Sequence, residues 1–406
     1  MHNEPRPLPD IPPAPGLLAD ITALRRDIHA HPELAFAEHR TASMVADALA
    51  AAGIETHRGI GRTGVVGVLR RGAGPTIALR ADMDALPLSE ANQFAHRSQH
   101  PGCMHACGHD GHTAMLLGAA RHLAEHGRFQ GTVCFVFQPA EESQGGGKAM
   151  LDDGLLARFP IAHFFGLHNW PGLPVGQFGV LDGPVMAAAD EFEITIDGRG
   201  AHGAMPHLGA DPLVAGAALV QAVQTVVSRD LDPLDPAVVS VTRFHAGQAY
   251  NVIPSQASLG GTARSFRPAV QDALEAGLVR LCAGIGAAHG VNALLRYARG
   301  YPATHNDPVQ AARCRSAARL VAGDAALASG LRPSMGAEDF SFFALERPSC
   351  YVWLGNGEGG HGEAAGPCTL HSPHYDFNDA LIPVGVRYWT ALTELCLAPP
   401  MAGDAI

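Results

Sequence analysis

The first part of the chain alternates hydrophobic and polar residues with the period of an α-helix. Four hydrophobic positions recur at intervals of three or four residues: Leu18, Ile21, Leu24 and Ile28. A second amphipathic stretch begins at Thr41, after the dipeptide His31-Pro32. Because side chains three and four residues apart share one face of a helix, this pattern predicts two helices between residues 17 and 52.

Short runs of β-branched and aromatic residues follow, and segments of helical periodicity separate them. The runs are residues 65–69, 76–79, 132–137, 162–167 and 350–354. A helix is expected between the second and third of them, at residues 111–126. Strands that alternate with helices predict an α/β domain with a mostly parallel central sheet and helices on both faces.

The pattern changes between residues 187 and 300. Phe192, Ile194 and Ile196 alternate along a strand, and the complete order of predicted elements is β-α-β-β-α-β. The elements after that strand are a helix at 211–228, strands at 238–244 and 256–266, a helix at 268–289 and a strand at 293–298. This order predicts an inserted ferredoxin-like α+β domain.

Three parts of the chain are therefore expected. A flexible, proline-rich arm covers residues 1–16, and the ferredoxin-like domain covers 187–300. The α/β domain is then split in sequence, with one part at 17–186 and the other at 301–406.

Composition narrows the class of protein. Hydrophobic residues make up 47% and charged residues 17%, as in globular proteins. The net charge of −11 argues against a nucleic-acid partner, and no run reaches the roughly 18 apolar residues that a membrane span needs. Eight scattered cysteines without a CxxC pair, and an N-terminal segment unlike a signal peptide, favour reduced thiols in a cytoplasmic protein.

Metal-binding residue types cluster where several predicted strands end. The segments are ALRADMDALP (78–87), FQPAEES (137–143) and FFGLHNWP (164–171), with MHACGHDGHT (104–113) opening a helix and LHSPHYDFND (370–379) near the end. In open α/β sheets, ligands gather at the carboxyl ends of the strands. We therefore expect these segments to form one site.

The segments supply thiol, imidazole and carboxylate groups, which zinc and neighbouring transition metals accept. Cys107 and His109 lie two residues apart in a glycine-containing turn, where both can face one ion. The predicted ligands of two divalent metal ions are Cys107, His109, Glu142, His168 and His371. Five protein ligands leave coordination positions open for water, which is a feature of catalytic metal sites.

The adjacent glutamates Glu141 and Glu142 predict a division of roles. One carboxylate can bind metal while the other stays uncoordinated and acts as a general base towards the attacking water. Asp82 and Asp84 are expected to orient an imidazole ligand by accepting its N–H. The other histidines of this region are expected to be structural: His105, His112 and His122.

The chain resembles the aminoacylase, hippurate hydrolase and indole-acetyl-amino-acid hydrolase family of dinuclear metallopeptidases. The likeness covers about residues 17 to 395. Its motifs, in order, are HPELAFAEHRT, ALRADMDALPL, MHACGHDGHTAMLLGAA, FQPAEES, GLHNWPGLPVGQ, GRGAHGAMPH, NVIPSQASLGGTARSF, GAEDF and LHSPHYDFND. Motifs of this length in this order are highly specific.

The resemblance implies roles for individual residues. Glu141 matches the position of the family's general base. The family's metal ligands match five residues of this chain: Cys107, His109, Glu142, His168 and His371. His202 is expected to stabilise the tetrahedral oxyanion, in some family members across a dimer interface. Asn251 and Arg264 resemble the residues that hold the free carboxylate of the substrate, a task that suits a guanidinium fork. The inserted domain is expected to form a homodimer or a higher homo-oligomer.

The expected reaction is hydrolysis of a small N-acyl amino acid, of the hippurate or N-acetyl type, to a carboxylic acid and a free amino acid. The alternatives are a dipeptidase or carboxypeptidase with the same site, a metal-binding dimer without catalysis, and a dimer whose metals are structural. Zinc, manganese, cobalt and nickel all stay open as the metal. The motifs do not specify the acyl group.

Overall fold

The computed structural model describes residues 15–357 and 368–399. Within these ranges the α-helices are α1 (Pro15–Ala30), α2 (His39–Ala51), α3 (His109–His126), α4 (Gly146–Asp152), α5 (Leu155–Arg158), α6 (Pro212–Thr225), α7 (Pro268–His289), α8 (Pro308–Ala322), α9 (Ser341–Glu346) and α10 (Leu381–Cys396). Residues 1–14 of the predicted proline-rich arm lie outside the described residues.

The strands of the same ranges are β1 (Glu55–Ile60), β2 (Gly64–Arg71), β3 (Thr76–Asp82), β4 (Gly131–Gln138), β5 (His163–Trp170), β6 (Phe178–Gly179), β7 (Gly183–Met186), β8 (Ala188–Asp197), β9 (Ala201–His202), β10 (Ala237–Ala246), β11 (Val252–Ile253), β12 (Gln256–Ser265), β13 (Asn292–Arg299), β14 (Thr304–Asn306) and β15 (Ser349–Gly355). No helix in the described ranges is both long enough and apolar enough to cross a membrane.

The chain divides into two compact units. Within the described residues, unit 1 consists of residues 15–183, 305–332, 339–357 and 368–399, and unit 2 consists of residues 184–304 and 333–338. Unit 2 therefore interrupts the sequence of unit 1.

Unit 1 is built on a seven-stranded sheet of order β1-β2-β4-β3-β5-β15-β6. The four central strands, β4, β3, β5 and β15, run parallel, and β2 and β6 add antiparallel strands on either side. Parallel strands covered on both faces are expected to be hydrophobic throughout. Accordingly, the sequence GTVCFVFQ of β4 is buried at seven of its eight positions. The mostly parallel central sheet is confirmed.

Helices cover both faces of this sheet. Consecutive residues of a strand point to opposite faces. Phe165 of β5 lies in the core cluster that α3 and α10 complete, whereas Phe164 stacks on Phe343 of α9 with ring centroids 4.7 Å apart. The prediction of helices on both faces is therefore also confirmed.

Unit 2 contains a four-stranded antiparallel sheet of order β10-β12-β8-β13. Phe192, Ile194 and Ile196 of β8 point to one face and share a core with α6 and α7. Two helices on one face of a sheet with this connectivity form a ferredoxin-like unit, as predicted.

The predicted helix at 211–228 ends differently from the expectation. Asp211 caps α6 by accepting the backbone N–H groups of Leu213 and Val214, at 2.9 Å and 3.3 Å. The α-helical part ends at Thr225, and a π-helical turn continues the chain over Val226–Asp230.

Candidate metal centre

Segments from several elements of unit 1 meet at one edge of its sheet. Asp82 ends β3, His168 lies near the end of β5, and the Glu141-Glu142 pair follows β4. Cys107 and His109 lie at the start of α3, where the helix begins at His109. The carboxyl ends of the parallel strands therefore bring together groups from distant parts of the sequence, as the α/β architecture predicts.

The turn that carries Cys107 and His109 requires glycine between them. Gly108 has a φ of 89°, in the left-handed region that other residues rarely adopt. A Cβ atom at this position would lie 2.4 Å from the side-chain nitrogen of Asn169 and 2.7 Å from the hydroxyl of Tyr375. Gly108 therefore allows a tight turn against Asn169, and this turn places a thiol and an imidazole at the helix start.

Cys107 and His168 form one side of the cluster. The Cys107 Sγ atom lies 3.4 Å from His168 Nε2, while His168 Nδ1 lies 2.6 Å from the backbone oxygen of Asn169. If Nδ1 donates to that oxygen, Nε2 presents a lone pair to the cluster. Burial, aided by neighbouring His112, lowers the pKa of His168 and so favours this neutral form.

The protonated form of Cys107 is favoured by its surroundings. Burial, together with the nearby carboxylate of Glu142, raises the pKa of its thiol well above the ordinary value. A thiolate at this position therefore needs a neighbouring cation, and a bound metal ion supplies one.

His109 and Glu142 form the other side of the cluster. The Nδ1 atom of His109 lies 3.2 Å from Asp84 Oδ1, and its Nε2 atom lies 3.8 Å from Glu142 Oε1. His371 Nε2 lies 3.4 Å from the second oxygen of Glu142, so this carboxylate faces both imidazoles. His371 is half exposed and has a φ of 64°, and its backbone N–H donates to the oxygen of Ala106 at 2.8 Å.

The cluster fits a pair of divalent metal ions. Within the described ranges, the buried His109 Nε2 and Glu142 Oε1 atoms lack a hydrogen-bond partner, an arrangement that buried polar groups rarely tolerate. Ligand atoms of Cys107, Glu142 and His371 all lie within 4.8 Å of one another, and so do those of His109, Glu141 and Glu142. Two overlapping groups of thiol, imidazole and carboxylate donors match the ligand preferences of zinc and its neighbours.

Asp82 contacts His112, one of the histidines predicted from the sequence to be structural. His112 Nδ1 lies 2.6 Å from Asp82 Oδ1, and His112 Nε2 accepts the backbone N–H of Asn169 at 2.9 Å. Although Asp82, His109, His112 and His168 are close enough to hold an ion, both ring nitrogens of His112 are already engaged. His112 therefore orients Asp82, whose other oxygen accepts from Arg80 at 2.6 Å.

Glu141 is buried beside the ligand cluster. Its Oε1 atom accepts the backbone N–H of Asp339 at 3.4 Å. It follows Ala140, which has a φ of 53° and begins the turn after β4. The turn therefore exposes two consecutive carboxylates to the same small region of unit 1.

The other predicted site residues belong to unit 2. His202 and Asn251 are exposed and lie on paired segments, because His202 of β9 is in register with Val252 of β11. Both line a surface cavity of about 750 Å³ within unit 2. Arg264, on β12, donates to the Thr262 hydroxyl at 2.6 Å and to the Ala263 oxygen at 2.9 Å. The roles predicted for these three residues stay predictions.

Asn169 is a central residue of the site that the sequence does not predict. Its side-chain N–H donates to the Cys107 backbone oxygen at 2.6 Å, and its oxygen accepts from the Tyr375 hydroxyl. It therefore connects the turn before α3 with the C-terminal loop. Its position directly after His168, in a run that is otherwise hydrophobic and aromatic, is the one local signal of this role.

Comparisons with known proteins agree with this geometry. The model of peptidase family M20/M25/M40 matches residues 78–395. The chain is 38% identical to a hippurate hydrolase of Campylobacter jejuni, over 94% of this chain and 98% of that protein. It is also 38% identical to an N-acetylcysteine deacetylase of Bacillus subtilis, over 92% and 96%. A crystal structure of a dinuclear metal-binding M20 peptidase from Bacillus subtilis has a TM-score of 0.81 and 34% identity, and covers 94% of this chain and 99% of its own.

Proposed function

The chain belongs to peptidase family M20/M25/M40, and from this premise we propose that it is a metal-dependent amidohydrolase acting on N-acyl amino acids. Its products are a carboxylic acid and a free amino acid. The observation that carries the proposal is that two buried ligand atoms, His109 Nε2 and Glu142 Oε1, have no hydrogen-bond partner among the described residues and lie 3.8 Å apart within a cluster of further ligand groups.

The ligands of this proposal are Cys107, His109, Glu142, His168 and His371. Two divalent ions held there would acidify a coordinated water and polarise the scissile carbonyl. The thiol of Cys107 favours zinc, and manganese, cobalt and nickel are the other candidates. Asp84 holds His109 in orientation through the 3.2 Å contact with Nδ1, and Asp82 is held in place by His112 and Arg80.

Glu141 is the general base in this proposal. Its carboxylate takes the proton of the attacking water and later delivers it to the departing nitrogen of the amino acid. Burial of Glu141 supports this role, because a carboxylate shielded from bulk water can keep the transferred proton between the two steps. Glu142, its neighbour, is occupied by the contacts with His109 and His371.

Unit 2 supplies the substrate contacts in this proposal. His202 stabilises the oxyanion that develops on the carbonyl, and Asn251 and Arg264 hold the free carboxylate of the amino acid. The presence of His202 and Asn251 in one cavity supports a shared role in substrate binding for these two residues. We propose that two copies of the chain associate through unit 2, as a homodimer or a higher homo-oligomer, and that the enzyme acts in the cytoplasm, where its eight unpaired cysteines stay reduced.

A substrate panel tests the reaction. The metal-loaded protein is incubated with N-acetyl, N-benzoyl and N-arylacetyl amino acids and with dipeptides, in zinc, manganese, cobalt or nickel, and the free amino acid is quantified. We expect release from one or more N-acyl amino acids. Release from dipeptides alone would identify a dipeptidase, and no release with both ions bound would contradict an enzymatic role.

Mixed dimers test whether His202 acts across the interface. Neither His202→Ala nor Glu141→Gln is expected to be active alone. If His202 serves the partner's site, equal amounts of the two variants refolded together form about half heterodimers, each with one intact site, so the mixture recovers about a quarter of the activity of the unmodified dimer. Recovery below one per cent contradicts the contribution in trans.

A further inference from the structure

The turn that carries Glu141 and Glu142 is built on an unfavourable backbone conformation. Ala140, directly before them, has a φ of 53°, in the left-handed region that non-glycine residues avoid. Such a conformation persists only where its surroundings hold it. The contacts of Ala140 therefore decide where the two carboxylates point.

The backbone N–H of Ala140 donates to the carboxylate of Glu38, 102 positions away in sequence, at 2.9 Å. The same Glu38 oxygen accepts the N–H of Phe36 at 3.0 Å. The second oxygen of Glu38 accepts from the Thr63 hydroxyl at 2.5 Å. Glu38 is fully buried, so these three donors replace the water that its carboxylate loses on folding.

Phe36 shares the strained conformation of Ala140. Its φ is 59°, and its ring centroid lies 4.1 Å from the guanidinium carbon of Arg62. One carboxylate oxygen therefore holds the N–H groups of two non-glycine residues in the left-handed region.

We propose that Glu38 is a positioning residue for the candidate metal centre, which fixes the turn from Pro139 to Glu142 and thereby aims Glu141 and Glu142. This inference rests on the proposed function for the role of Glu141, but its structural part concerns the turn alone. Glu38 has no contact with substrate in this proposal and acts only through the backbone of Ala140.

Glu33 provides a matched control in the same segment of the chain. Its two carboxylate oxygens accept the backbone N–H groups of Arg40 and Thr41, at 2.9 Å and 2.8 Å, near the start of α2. Like Glu38, it is a glutamate that satisfies two amide groups. Its side-chain bonds, however, stabilise α2 and not the turn after β4.

The test compares Glu38→Ala, Glu38→Asp and Glu38→Gln with Glu33→Ala in the full-length protein. Hydrogen–deuterium exchange of a peptide spanning residues 137–145 reports on the turn without requiring activity. Competition with a chelator reports the affinity for zinc, since Glu142 is a proposed ligand. Values of kcat and KM are measured with the most rapidly cleaved N-acyl amino acid.

For Glu38→Ala we expect exchange in the turn to rise about tenfold or more, and zinc affinity and kcat each to fall about 10- to 100-fold with little change in KM. Glu38→Asp, which withdraws the carboxylate by one methylene, should behave in the same direction and serves if the alanine variant does not fold. Glu38→Gln should recover kcat to within about threefold, because its amide oxygen still accepts the two N–H groups. Glu33→Ala should accelerate exchange at the start of α2 and leave zinc affinity unchanged.

Two outcomes would overturn the inference. One is unchanged exchange in the turn for both Glu38→Ala and Glu38→Asp. The other is a loss of zinc affinity in Glu33→Ala as large as in the Glu38 variants, because that would reflect general destabilisation. An unmodified enzyme that cleaves no N-acyl amino acid would contradict the proposed function instead, and would leave the exchange and zinc results to decide the role of Glu38.

Discussion

Asp84 accepts a hydrogen bond from the backbone N–H of Glu142 at 3.0 Å through its Oδ2 atom. Its other oxygen lies 3.2 Å from His109 Nδ1. A single buried carboxylate thus joins two proposed metal ligands that come from different elements, the start of α3 and the turn after β4. The relative position of these ligands depends on both oxygens of Asp84.

Asp84→Ala is therefore expected to weaken metal binding without removing a ligand. Outer hydrogen-bond partners of ligands typically contribute 10- to 100-fold to metal affinity, and we expect a fall of about that size. Chelator competition followed by elemental analysis measures it. Asp153→Ala is a suitable control, because Asp153 also accepts a backbone N–H in unit 1, that of Gly61 at 3.0 Å. Equal metal affinity of the Asp84 variant and the unmodified protein would contradict this role.

Glu141→Gln should separate catalysis from metal binding. The amide cannot accept a proton as a carboxylate does, so kcat should fall by about 10²- to 10⁴-fold while two ions per subunit are retained. Glu142→Gln is the comparison, since it changes a proposed ligand and should lower the metal content. Elemental analysis of both variants, beside kcat, checks the assignment. Loss of metal in Glu141→Gln, with retention in Glu142→Gln, would reverse the two roles.

Buried His29 predicts a pH-dependent contribution to stability. Burial opposes its charge, but Asp110 and Glu90 outweigh burial and the nearby Arg25, and raise the pKa of His29 from 6.5 to about 9. The other rings packed against it are His96, His105 and Phe94. Since the folded state holds the proton more tightly, this stabilisation is complete below pH 6.5 and is lost as the pH rises through about 9.

His29→Gln should remove this dependence. The free energy of unfolding of the unmodified protein is expected to fall, relative to the variant, by up to about 3 kcal/mol between pH 6 and pH 9.5. Denaturant unfolding at several pH values and a constant free metal concentration measures the difference. His126→Gln, at an exposed position of α3, is the control and should parallel the unmodified protein. Parallel curves for His29→Gln would show that its charge is not stabilised by folding.

Two glycine substitutions should have opposite effects. A Cβ on Gly146, at the start of α4, would lie 1.6 Å from the backbone oxygen of Pro139, so Gly146→Ala must displace the turn that carries Glu141 and Glu142. We expect a loss of more than about 2 kcal/mol of stability together with reduced metal affinity.

Gly284 lies in α7, and a Cβ atom on it would have nothing within 4 Å. Gly284→Ala should therefore stabilise the protein by about 1 kcal/mol. Thermal unfolding tests both, and an unaffected Gly146→Ala would show that the turn can shift freely.

The sequence predicts the buried strands of both units well because their composition and burial coincide. The polar strand β1, Glu55–Ile60, was not predicted, since only Ile60 among its six residues is buried and the run ETHRGI has no apolar alternation. Its pairing with β2 at the edge of the sheet, rather than its own composition, makes it a strand. Similarly, the π-helical end of α6 at Val226–Asp230 has no signature in the pattern of hydrophobic residues.

The candidate site likewise has a part that the sequence predicts and a part that it does not. Residue chemistry and placement at strand ends were sufficient to propose Cys107, His109 and His168 as ligands. The hydrogen bonds of Asn169 to the Cys107 backbone and of Glu38 to the Ala140 backbone, by contrast, join residues 62 and 102 positions apart in sequence. No local spacing contains that information, because it depends on how the strands are ordered in the sheet.

The interruption of unit 1 by unit 2 also has a consequence for biosynthesis. Strand β5 pairs on one side with β3, which precedes it, but on the other side with β15, whose first residue is made about 180 residues after β5 ends. At 5 to 20 residues per second, β5 presents an unpaired hydrophobic edge on the ribosome for roughly 10 to 40 seconds. His371 is translated later still, so the five proposed ligands cannot act together on a nascent chain until residue 371 has been made. We therefore expect a chaperone to shield that edge first, and metal to bind only after His371 has emerged from the ribosome.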